Sequence, residues 1–265
     1  MKKDKISCLC ATYNRWERLK HTIDCFLRQT YENKELIIVS EGSKAYKEKI
    51  ANYVKSLDSS DIRMEFLEGN YTLGAIRNIS MQLAKGTIVC QWDDDDLQHP
   101  KRLEIQYLDM VKKKAGISFF TDQLQFFWQD KELFWSDWVR DTESDLLQLI
   151  PGTLMMVKDD RFSYPEFGTE ASAGEDSAFL EQIYHSGIPI ARLSGYGFLY
   201  IYCFHESKQN VFSYDHHRAL ALQRSCSPEF LEEHRPELEQ ALKDYDLPRP
   251  FSFYVAIREK IFSLH

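Results

Sequence analysis

The sequence predicts an α/β fold with a Rossmann-like, mostly parallel sheet flanked by helices, and two observations support this prediction. Short continuous apolar runs, such as residues 6–11 and 36–39, have the length and composition of buried strands. Segments with apolar residues at helical spacing separate these runs, so strands and helices alternate along the chain. Such alternation predicts parallel strands with helices on both faces of the sheet.

The first strand-helix-strand unit spans residues 6–39. A predicted strand at residues 6–11 is followed by apolar residues that recur at helical spacing over residues 16–27. Asn14 and Glu17 have the spacing of a capping box, which predicts that this helix begins beside Asn14. A second strand at residues 36–39 completes the unit, and a segment of turn composition follows it.

The same pattern continues through the rest of the chain. Further helices are predicted near residues 46–57, 73–84, 100–114 and 176–186, and further strands at residues 64–67, 87–92, 116–121, 123–128, 132–135, 153–157, 190–193 and 197–204. Aromatic residues become frequent after residue 116, which indicates a second, smaller and mixed sheet. We therefore divide the chain into residues 1–100, residues 101–225 and a helical tail at residues 226–265.

Composition excludes several classes of protein. The net charge of the 265 residues is -8, and no stripe of Lys or Arg is present, so we expect no nucleic-acid partner. The first apolar run is too short for a signal sequence or a transmembrane segment, which predicts a cytoplasmic protein and leaves room for peripheral contact with the inner face of a membrane. The six cysteines form no CxxC pair, so we expect reduced thiols and no zinc knuckle.

Residues 93–96 are four consecutive aspartates at the end of a predicted strand. In an extended segment the first and third would face one side and the second and fourth the other. Crowded carboxylates repel one another, and a hard divalent cation such as Mg²⁺ or Mn²⁺ relieves that repulsion. The alternative is an Asp-rich turn that caps a helix opening at Pro100, although one aspartate suffices for a cap.

Other polar residues also follow predicted strands. In parallel sheets ligands bind beyond the carboxyl ends of the strands, where residues 12–14, Glu41 and residues 93–96 would converge. Residues 11–15 read Ala-Thr-Tyr-Asn-Arg, residues 39–43 read Val-Ser-Glu-Gly-Ser, and residues 74–78 read Gly-Ala-Ile-Arg-Asn. Residues 174–176 read Gly-Glu-Asp and precede a predicted helix.

In this order, over residues 6–217, these motifs resemble those of family-2 glycosyltransferases, which have a GT-A fold and use nucleotide sugars. Residues 11–15 are similar to the Thr-Tyr-Asn-Arg segment of the family. Ser40 departs from the usual Val-Asp-Asp-Gly-Ser, and Glu41 stands in the place of its second Asp. The aspartate run matches the Asp-x-Asp-Asp signature, and residues 174–176 match the Glu-Asp that supplies the catalytic base.

The resemblance implies a role for each motif residue. It implies Asp176 as the catalytic base, Asp95 as a metal ligand and His205 as a residue that completes the metal shell. The implied donor-binding residues are Thr12, Tyr13, Asn14, Arg15, Glu41, Arg77, Asp93 and Asp94.

The resemblance also implies the reaction and its participants. A sugar, of hexosyl type, moves with inversion from a nucleotide-sugar donor, a UDP-sugar, to a saccharide, lipid-linked or protein-attached acceptor, with Mn²⁺ or Mg²⁺ as cofactor. Residues 1–100 would be the nucleotide-sugar-binding lobe and residues 101–225 the acceptor-binding lobe of one GT-A domain. Such an enzyme would act in the assembly of surface glycans.

Each of these residues also has a structural interpretation. Asp176 suits the first turn of a helix, and a histidine after an aromatic strand, such as His205, is commonly structural. Tyr13 would serve equally as a core aromatic, Arg77 as the partner of a surface carboxylate, and Glu41 as a solvated turn residue.

Trp128, Trp135 and Trp138 have flat apolar rings that suit a sugar face as well as a protein core, so they are candidates for an acceptor subsite. Two other functions compete with glycosyl transfer. An aspartate-based phosphohydrolase would need Asp-x-Asp after the first strand, where this chain has residues 12–14. A catalytically silent relative would bind nucleotide or a partner as a module, although such relatives commonly lose the metal-binding aspartate or the base.

Overall fold

Two β-sheets form the frame of the protein, for which a computed structural model describes residues 3–139, 144–205, 214–254 and 261–264. The first sheet contains β1 (Ile6–Thr12), β2 (Lys34–Ser40), β3 (Ile62–Phe66), β4 (Ile88–Gln91), β6 (Ile117–Phe120), β9 (Met155–Val157) and β10 (Ile190–Leu193). The second contains β5 (Leu97–Gln98), β7 (Asp122–Phe127), β8 (Glu132–Asp137), β11 (Tyr200–Phe204), β12 (Phe251–Tyr254) and β13 (Ile261–Leu264). The α-helices are α1 (Trp16–Leu27), α2 (Lys44–Ser56), α3 (Leu73–Leu83), α4 (Arg102–Lys112), α5 (Glu175–Tyr184), α6 (Tyr214–Gln223) and α7 (Pro228–Ala241).

The first sheet confirms the predicted α/β class. Its strand order is β10-β6-β9-β4-β1-β2-β3, and β1 pairs in parallel with both β2 and β4. β9 runs antiparallel to its neighbours β4 and β6. β2 and β3 lie on one side of β1, whereas β4 lies on its other side. This change in strand order opens a crevice beyond the carboxyl ends of β1 and β4, where ligands bind in such sheets.

Two hydrophobic cores cover the two faces of this sheet. On one face α1, α2 and α4 share a core with the second sheet, and this core includes Ile23, Ile50, Leu103 and Trp135. On the opposite face α3 and α5 contribute to a separate core that includes Phe179. The crevice is thus bordered by helices from both faces.

The second sheet confirms the predicted hairpin, because β7 and β8 pair antiparallel with Leu124 opposite Trp135. β11 runs parallel to β7, and the short β5, directly after the aspartates, pairs with β11. The aspartate run therefore connects the two sheets. β6, β9 and β10 follow residue 100 in the chain but lie in the first sheet, so the predicted regions 1–100 and 101–225 share that sheet.

The predicted capping box at Asn14 and Glu17 is wrong. α1 begins at Trp16, its N-cap residue is Arg15, and no side chain caps it. Asn14 has a φ of 53°, a left-handed conformation that Asn tolerates better than most residues, and its Oδ1 accepts a hydrogen bond from the Ser43 amide at 2.9 Å. The side chain of Asn14 therefore ties two loops of the crevice together and is not available to the helix.

The predicted helical tail is correct over α7, which begins at Pro228 after a Ser227 cap, and is wrong at residues 251–254 and 261–264, which are strands. β12 and β13 form an antiparallel pair, and β12 also pairs with β8. Phe251 and Phe253 are buried with the half-buried Ser252 between them, which is the period-two pattern of a strand.

None of the helices that the structure describes has the length and apolar composition that a membrane-spanning helix needs.

Candidate functional site

Five segments meet at the crevice at the carboxyl ends of the first sheet. Residues 12–15 lie at the end of β1, Glu41 follows β2, and residues 93–96 follow β4. Arg77 reaches the crevice from α3, and Asp176 lies in the first turn of α5. Segments far apart in sequence are thus brought together at the switch point of the sheet.

The four aspartates alternate between the crevice and the interior, although they do not form an extended strand. Asp94 and Asp95 lie in a turn, and β5 begins directly after Asp96. Asp93 and Asp95 remain partly exposed, whereas Asp94 and Asp96 are buried. The first and third aspartates therefore share their partial exposure, as predicted, but a turn and not an extended strand produces this arrangement.

The two buried aspartates have different partners. Asp96 accepts hydrogen bonds from the Tyr200 hydroxyl at 2.5 Å and the Cys203 amide at 3.0 Å, so it joins the crevice to β11. Asp94 accepts a hydrogen bond from Thr12 Oγ1 at 2.6 Å and forms an ion pair with Arg15 at 2.6 Å. Burial and the adjacent Asp95 raise the pKa of Asp94 to about 7, although Arg15 and Thr12 oppose this rise.

Thr12 and Asp94 support the floor of the crevice. Thr12 is buried, and its hydroxyl also lies 2.5 Å from the hydroxyl of Tyr46 on α2. Tyr46, Thr12 and Asp94 therefore form a chain of hydrogen bonds that fixes the turn of the aspartates against β1. A direct contact of Thr12 or Asp94 with a donor stays a prediction.

Asp95 is held by two arginines on the side of α1. Arg15 Nη1 lies 2.6 Å from Asp95 Oδ2, and Arg18 Nη1 lies 3.8 Å from the same oxygen. Arg15 thus bridges Asp94 and Asp95, and its predicted contact with a donor stays a prediction. Arg18 belongs to none of the sequence motifs, but its position three residues after Arg15, one helical turn away, places it on the same side of α1.

His205 lies beside Asp95, as expected of a residue at the same site. Its ring makes a hydrogen bond to the backbone of Asp95 and stacks on Trp128, with ring centroids 5.2 Å apart. Burial, and then Arg18, lowers the pKa of His205 to about 4. At neutral pH the imidazole is therefore uncharged, which is the form that binds metals.

Asp95 and His205 fit a divalent cation that is shared with a phosphorylated ligand. The described residues contain no cluster of three or more metal-binding side chains, so the protein alone does not form a full cage. Mg²⁺ is typically bound by one or two carboxylates together with substrate phosphates. Both arginines approach Oδ2 of Asp95, and no contact of Oδ1 is seen among the described residues.

Arg77 is a buried cation between two carboxylates. Its Nε lies 3.1 Å from Glu175 Oε1, and its Nη1 lies 3.4 Å from Asp93 Oδ1. Gln91 Nε2 donates to Asp93 Oδ1 as well, at 2.6 Å. Although burial opposes it, Asp93 and its neighbours, Asp176 included, raise the pKa of Arg77 above its ordinary value, so this guanidinium stays charged.

Asp176 faces the same cleft as Asp93. The two residues line a small cleft together with Arg77, Gln91 and Gly152. The preceding Glu175 turns inward to Arg77, while Asp176 Oδ1 accepts a hydrogen bond from the Ser177 amide at 2.7 Å. The predicted base and the aspartate run therefore border one space.

The remaining predicted donor residues form the outer rim. Tyr13 is half exposed, so it is not a core aromatic. Glu41 Oε2 accepts a hydrogen bond from the Tyr71 amide at 2.7 Å, so Glu41 fixes the loop before α3 and is more than a solvated turn residue. Asn14 ties the rim together through Ser43.

Two residues that shape the site, Tyr164 and Gly152, lie outside the motifs found in the sequence. Tyr164 packs under Arg77, 5.5 Å from its guanidinium carbon, and stacks on Phe179 of α5. Gly152 lies so close to Tyr200 that a Cβ would come 2.4 Å from its hydroxyl oxygen, which shows why a larger residue does not fit there. Both contacts depend on tertiary packing that a single sequence does not display.

Comparison with known proteins identifies the family of the chain. The sequence model of glycosyl transferase family 2 matches residues 7–156. The chain belongs to this family. One relative in Escherichia coli, the UDP-Glc:alpha-D-GlcNAc-diphosphoundecaprenol beta-1,3-glucosyltransferase WfgD, is 31% identical over 116 residues, which cover 43% of this chain and 44% of WfgD. The chain thus spans less than half the length of that curated relative.

Solved structures show the same fold. Staphylococcus aureus TarS 1-349 in complex with UDP-GlcNAc superposes with a TM-score of 0.62 at 19% identity, covering 92% of this chain and 68% of TarS 1-349. The mannosyltransferase PcManGT from Pyrobaculum calidifontis, in complex with GDP-Man and Mn²⁺, gives a TM-score of 0.59 at 14% identity, covering 94% of this chain and 67% of PcManGT. The predicted GT-A fold is confirmed.

Proposed function

We propose that this family-2 glycosyltransferase moves a hexosyl unit, with inversion, from a nucleoside-diphosphate sugar to a saccharide, lipid-linked or protein-attached acceptor. The observation that carries the proposal is the shared cleft, which Asp176 lines together with Asp93 and Arg77. A carboxylate and a buried cation in one cleft provide a proton acceptor and a group that stabilises a leaving phosphate.

We propose that the donor lies across the first sheet. Tyr13, Asn14 and Glu41 on the outer rim would contact the nucleoside, and Asp93 with Arg77 would lie on the phosphate side, above Thr12 and Asp94. The structures of TarS with UDP-GlcNAc and of PcManGT with GDP-Man support a nucleotide-sugar donor. We propose a UDP-sugar, with residues 1–100 as the donor-binding lobe and residues 101–225 as the acceptor-binding lobe.

The chemical step is a single displacement at the anomeric carbon. The acceptor oxygen forms the new bond to this carbon while the bond to the diphosphate oxygen breaks, and the diphosphate leaves with the electron pair. Asp176 takes the proton of the acceptor hydroxyl, a contribution of about 10²–10⁴-fold for general-base catalysis. One displacement from the face opposite the leaving group inverts the configuration.

Positive groups of the chain stabilise the leaving diphosphate. A divalent cation held by Asp95 and His205 would act there as a Lewis acid that neutralises the developing charge. Arg77 supplies a permanent charge from the α3 side, and Arg15 and Arg18 can turn from Asp95 to the phosphates. The Mn²⁺ in the PcManGT complex supports Mn²⁺ or Mg²⁺ as the cation.

A lipid-linked acceptor has specific support, since the name of WfgD contains a diphosphoundecaprenol-linked sugar. We propose that such an acceptor would place the enzyme at the inner face of the membrane by peripheral contact. A silent nucleotide-binding module remains the alternative function. The chain argues against it because it retains candidates for both the base, Asp176, and the metal ligand, Asp95.

A screen for donor hydrolysis tests the proposal without knowledge of the acceptor. Wild-type protein is incubated with UDP-glucose, UDP-GlcNAc or GDP-mannose, with Mn²⁺ or with EDTA, and the released nucleotide is measured. We expect Mn²⁺-dependent release from at least one UDP-sugar. Calorimetric binding of UDP with no release from any donor, and no transfer to any glycan, would favour the silent module.

A further inference from the structure

Phe167 is the most exposed large hydrophobic side chain that the structure describes. It is 87% exposed, whereas the next such residue, Leu147, is 60% exposed. An aromatic ring left in water contributes little to the stability of the fold. A single exposed apolar residue is common on protein surfaces, so the surroundings of Phe167 decide whether it marks a binding site.

The backbone that carries Phe167 is fixed against α3. The Asn78 side chain donates to the Tyr164 carbonyl at 2.9 Å and accepts from the Tyr164 amide at 2.8 Å. It also donates to Glu166 Oε1 at 2.8 Å, and Thr72 Oγ1 donates to the Glu166 carbonyl at 3.0 Å. The residue directly before Phe167 is therefore held by two side chains of the α3 region, and the exposed ring stands on an ordered support.

The support keeps Phe167 close to the catalytic cleft. Tyr164 lines this cleft together with Asp176, and three residues of chain span at most about 10 Å. After Phe167 the chain returns to α3, where the carbonyl of Ala171 lies 3.4 Å from the Cβ position of Gly74, and then leads into Asp176. The ring thus projects from the loop that delivers the proposed base.

We propose that Phe167 is the aromatic platform of the acceptor-sugar subsite, an inference that rests on the proposed function. A pyranose ring presents C–H groups on one face, and these pack well on a flat apolar ring. Because the support is already ordered, binding does not have to order the loop, which limits its entropic cost. The occupant is a sugar unit of the acceptor, since Asp176 must lie beside the acceptor hydroxyl.

The tryptophans proposed from the sequence are less suited to this role. Trp135 of β8 is fully buried, so of its two candidate roles it has the one in the protein core and not the one in an acceptor subsite. Trp128 is occupied by its stack on His205, and Trp138 lies beneath the guanidinium of Arg224 at 4.6 Å. Density of aromatics in the sequence therefore marked a core and not a sugar site.

Fluorine NMR with 4-fluorophenylalanine incorporated at position 167 tests this inference. UDP with the diamagnetic Mg²⁺ is added first, and then cellotetraose, chitotetraose or maltotetraose at millimolar concentration. We expect UDP to leave the signal unmoved and at least one glycan to shift it. Phe167→Ala should weaken binding of that glycan about tenfold, as for the loss of one stacking partner, while Phe167→Trp retains it and UDP affinity stays within about twofold of the wild-type value.

Leu108→Ala is the matched control, because Leu108 on α4 is also exposed, at 56%, and should affect neither ligand. A shift with UDP alone would assign the ring to the donor and overturn the inference, and a signal that no glycan moves would overturn it as well. Donor hydrolysis by the wild-type protein tests the proposed function separately. A failure of the proposed function is therefore distinguishable from a failure of the acceptor-platform inference.

Discussion

Replacing Arg77 with Met would test whether this cation holds the two halves of the cleft together. Met keeps much of the length of the side chain but removes the contacts to Glu175 at 3.1 Å and to Asp93 at 3.4 Å. The side chains of Arg77 and Glu175 are 12% and 5% exposed, so the carboxylate would be left buried without its cation. Loss of one partner of a buried ion pair costs about 3–5 kcal/mol.

The loss should depend on pH because Glu175 can take up a proton. Burial already raises the pKa of Glu175, and Arg77 opposes that rise, so removing Arg77 raises the pKa further. A carboxyl whose pKa is higher in the folded state binds protons more tightly there. Its contribution to folding stability therefore falls as the pH increases from the unfolded value of about 4.3 through the folded value. The deficit of Arg77→Met should be larger at pH 7.5 than at pH 5.

Urea and thermal denaturation at both pH values measure this difference. At pH 7.5 we expect a melting temperature about 6–20 °C below that of the wild type, at roughly 2–4 °C per kcal/mol for a chain of this size. The double variant Arg77→Met/Glu175→Gln should recover much of the loss and show a smaller pH dependence, because Gln does not ionise. Arg161→Met is the control, since it removes a surface ion pair with Asp159 and should leave stability nearly unchanged.

Equal destabilisation at pH 5 and pH 7.5, with no recovery in the double variant, would refute this reasoning. Such a result would mean that Arg77 stabilises the fold through its packing on Tyr164 and not through its charge.

Three further predictions address the site and the fold. Asp176→Asn should lower donor turnover by about 10²–10⁴-fold while UDP affinity stays near the wild-type value. The control is Asp160→Asn, because Asp160 is exposed, and a comparable loss in both variants would exclude a specific role of Asp176. Asp95→Ala should abolish the effect of Mn²⁺ on UDP binding in calorimetry, and a persisting Mn²⁺ effect would place the cation elsewhere. Asp122→Ala should destabilise the protein by about 3 kcal/mol or more, because Asp122 accepts buried hydrogen bonds from Trp135 at 2.7 Å and the Gly197 amide at 2.6 Å. Urea denaturation measures this loss, and an unchanged midpoint would contradict the prediction.

The sequence predicts the part of the fold that local pattern encodes. Continuous apolar runs identify β1, β2 and β4 as buried parallel strands, and the geometry of such a sheet then brings Glu41 and the aspartate run to one edge. The cap of α1 was mispredicted because Asn14 has a tertiary partner, Ser43, that outweighs the local spacing. The strand β12 was missed because a helical interpretation was extended over the alternating residues 251–254.

The site shows the same limit. Motif positions located Asp95, His205, Arg77 and Asp176, and the structure brings Asp95 beside His205 and Arg77 beside Asp176. The ion pair between Arg15 and Asp95 joins residues 80 positions apart, so no local pattern displays it. Which aspartates are buried also depends on the turn at Asp94 and Asp95, and this turn is set by contacts with β1 and β11.

The most direct measurement is a crystal structure of the protein with UDP and Mn²⁺, with data collected at a wavelength where manganese scatters anomalously. We expect one strong anomalous peak at bonding distance from Asp95 and His205 and beside the diphosphate, with Arg15 or Arg18 turned toward the phosphates. Asp176 should border the open side of the diphosphate. A peak remote from Asp95, or a diphosphate bound away from the cleft that Asp93 and Asp176 share, would contradict the account.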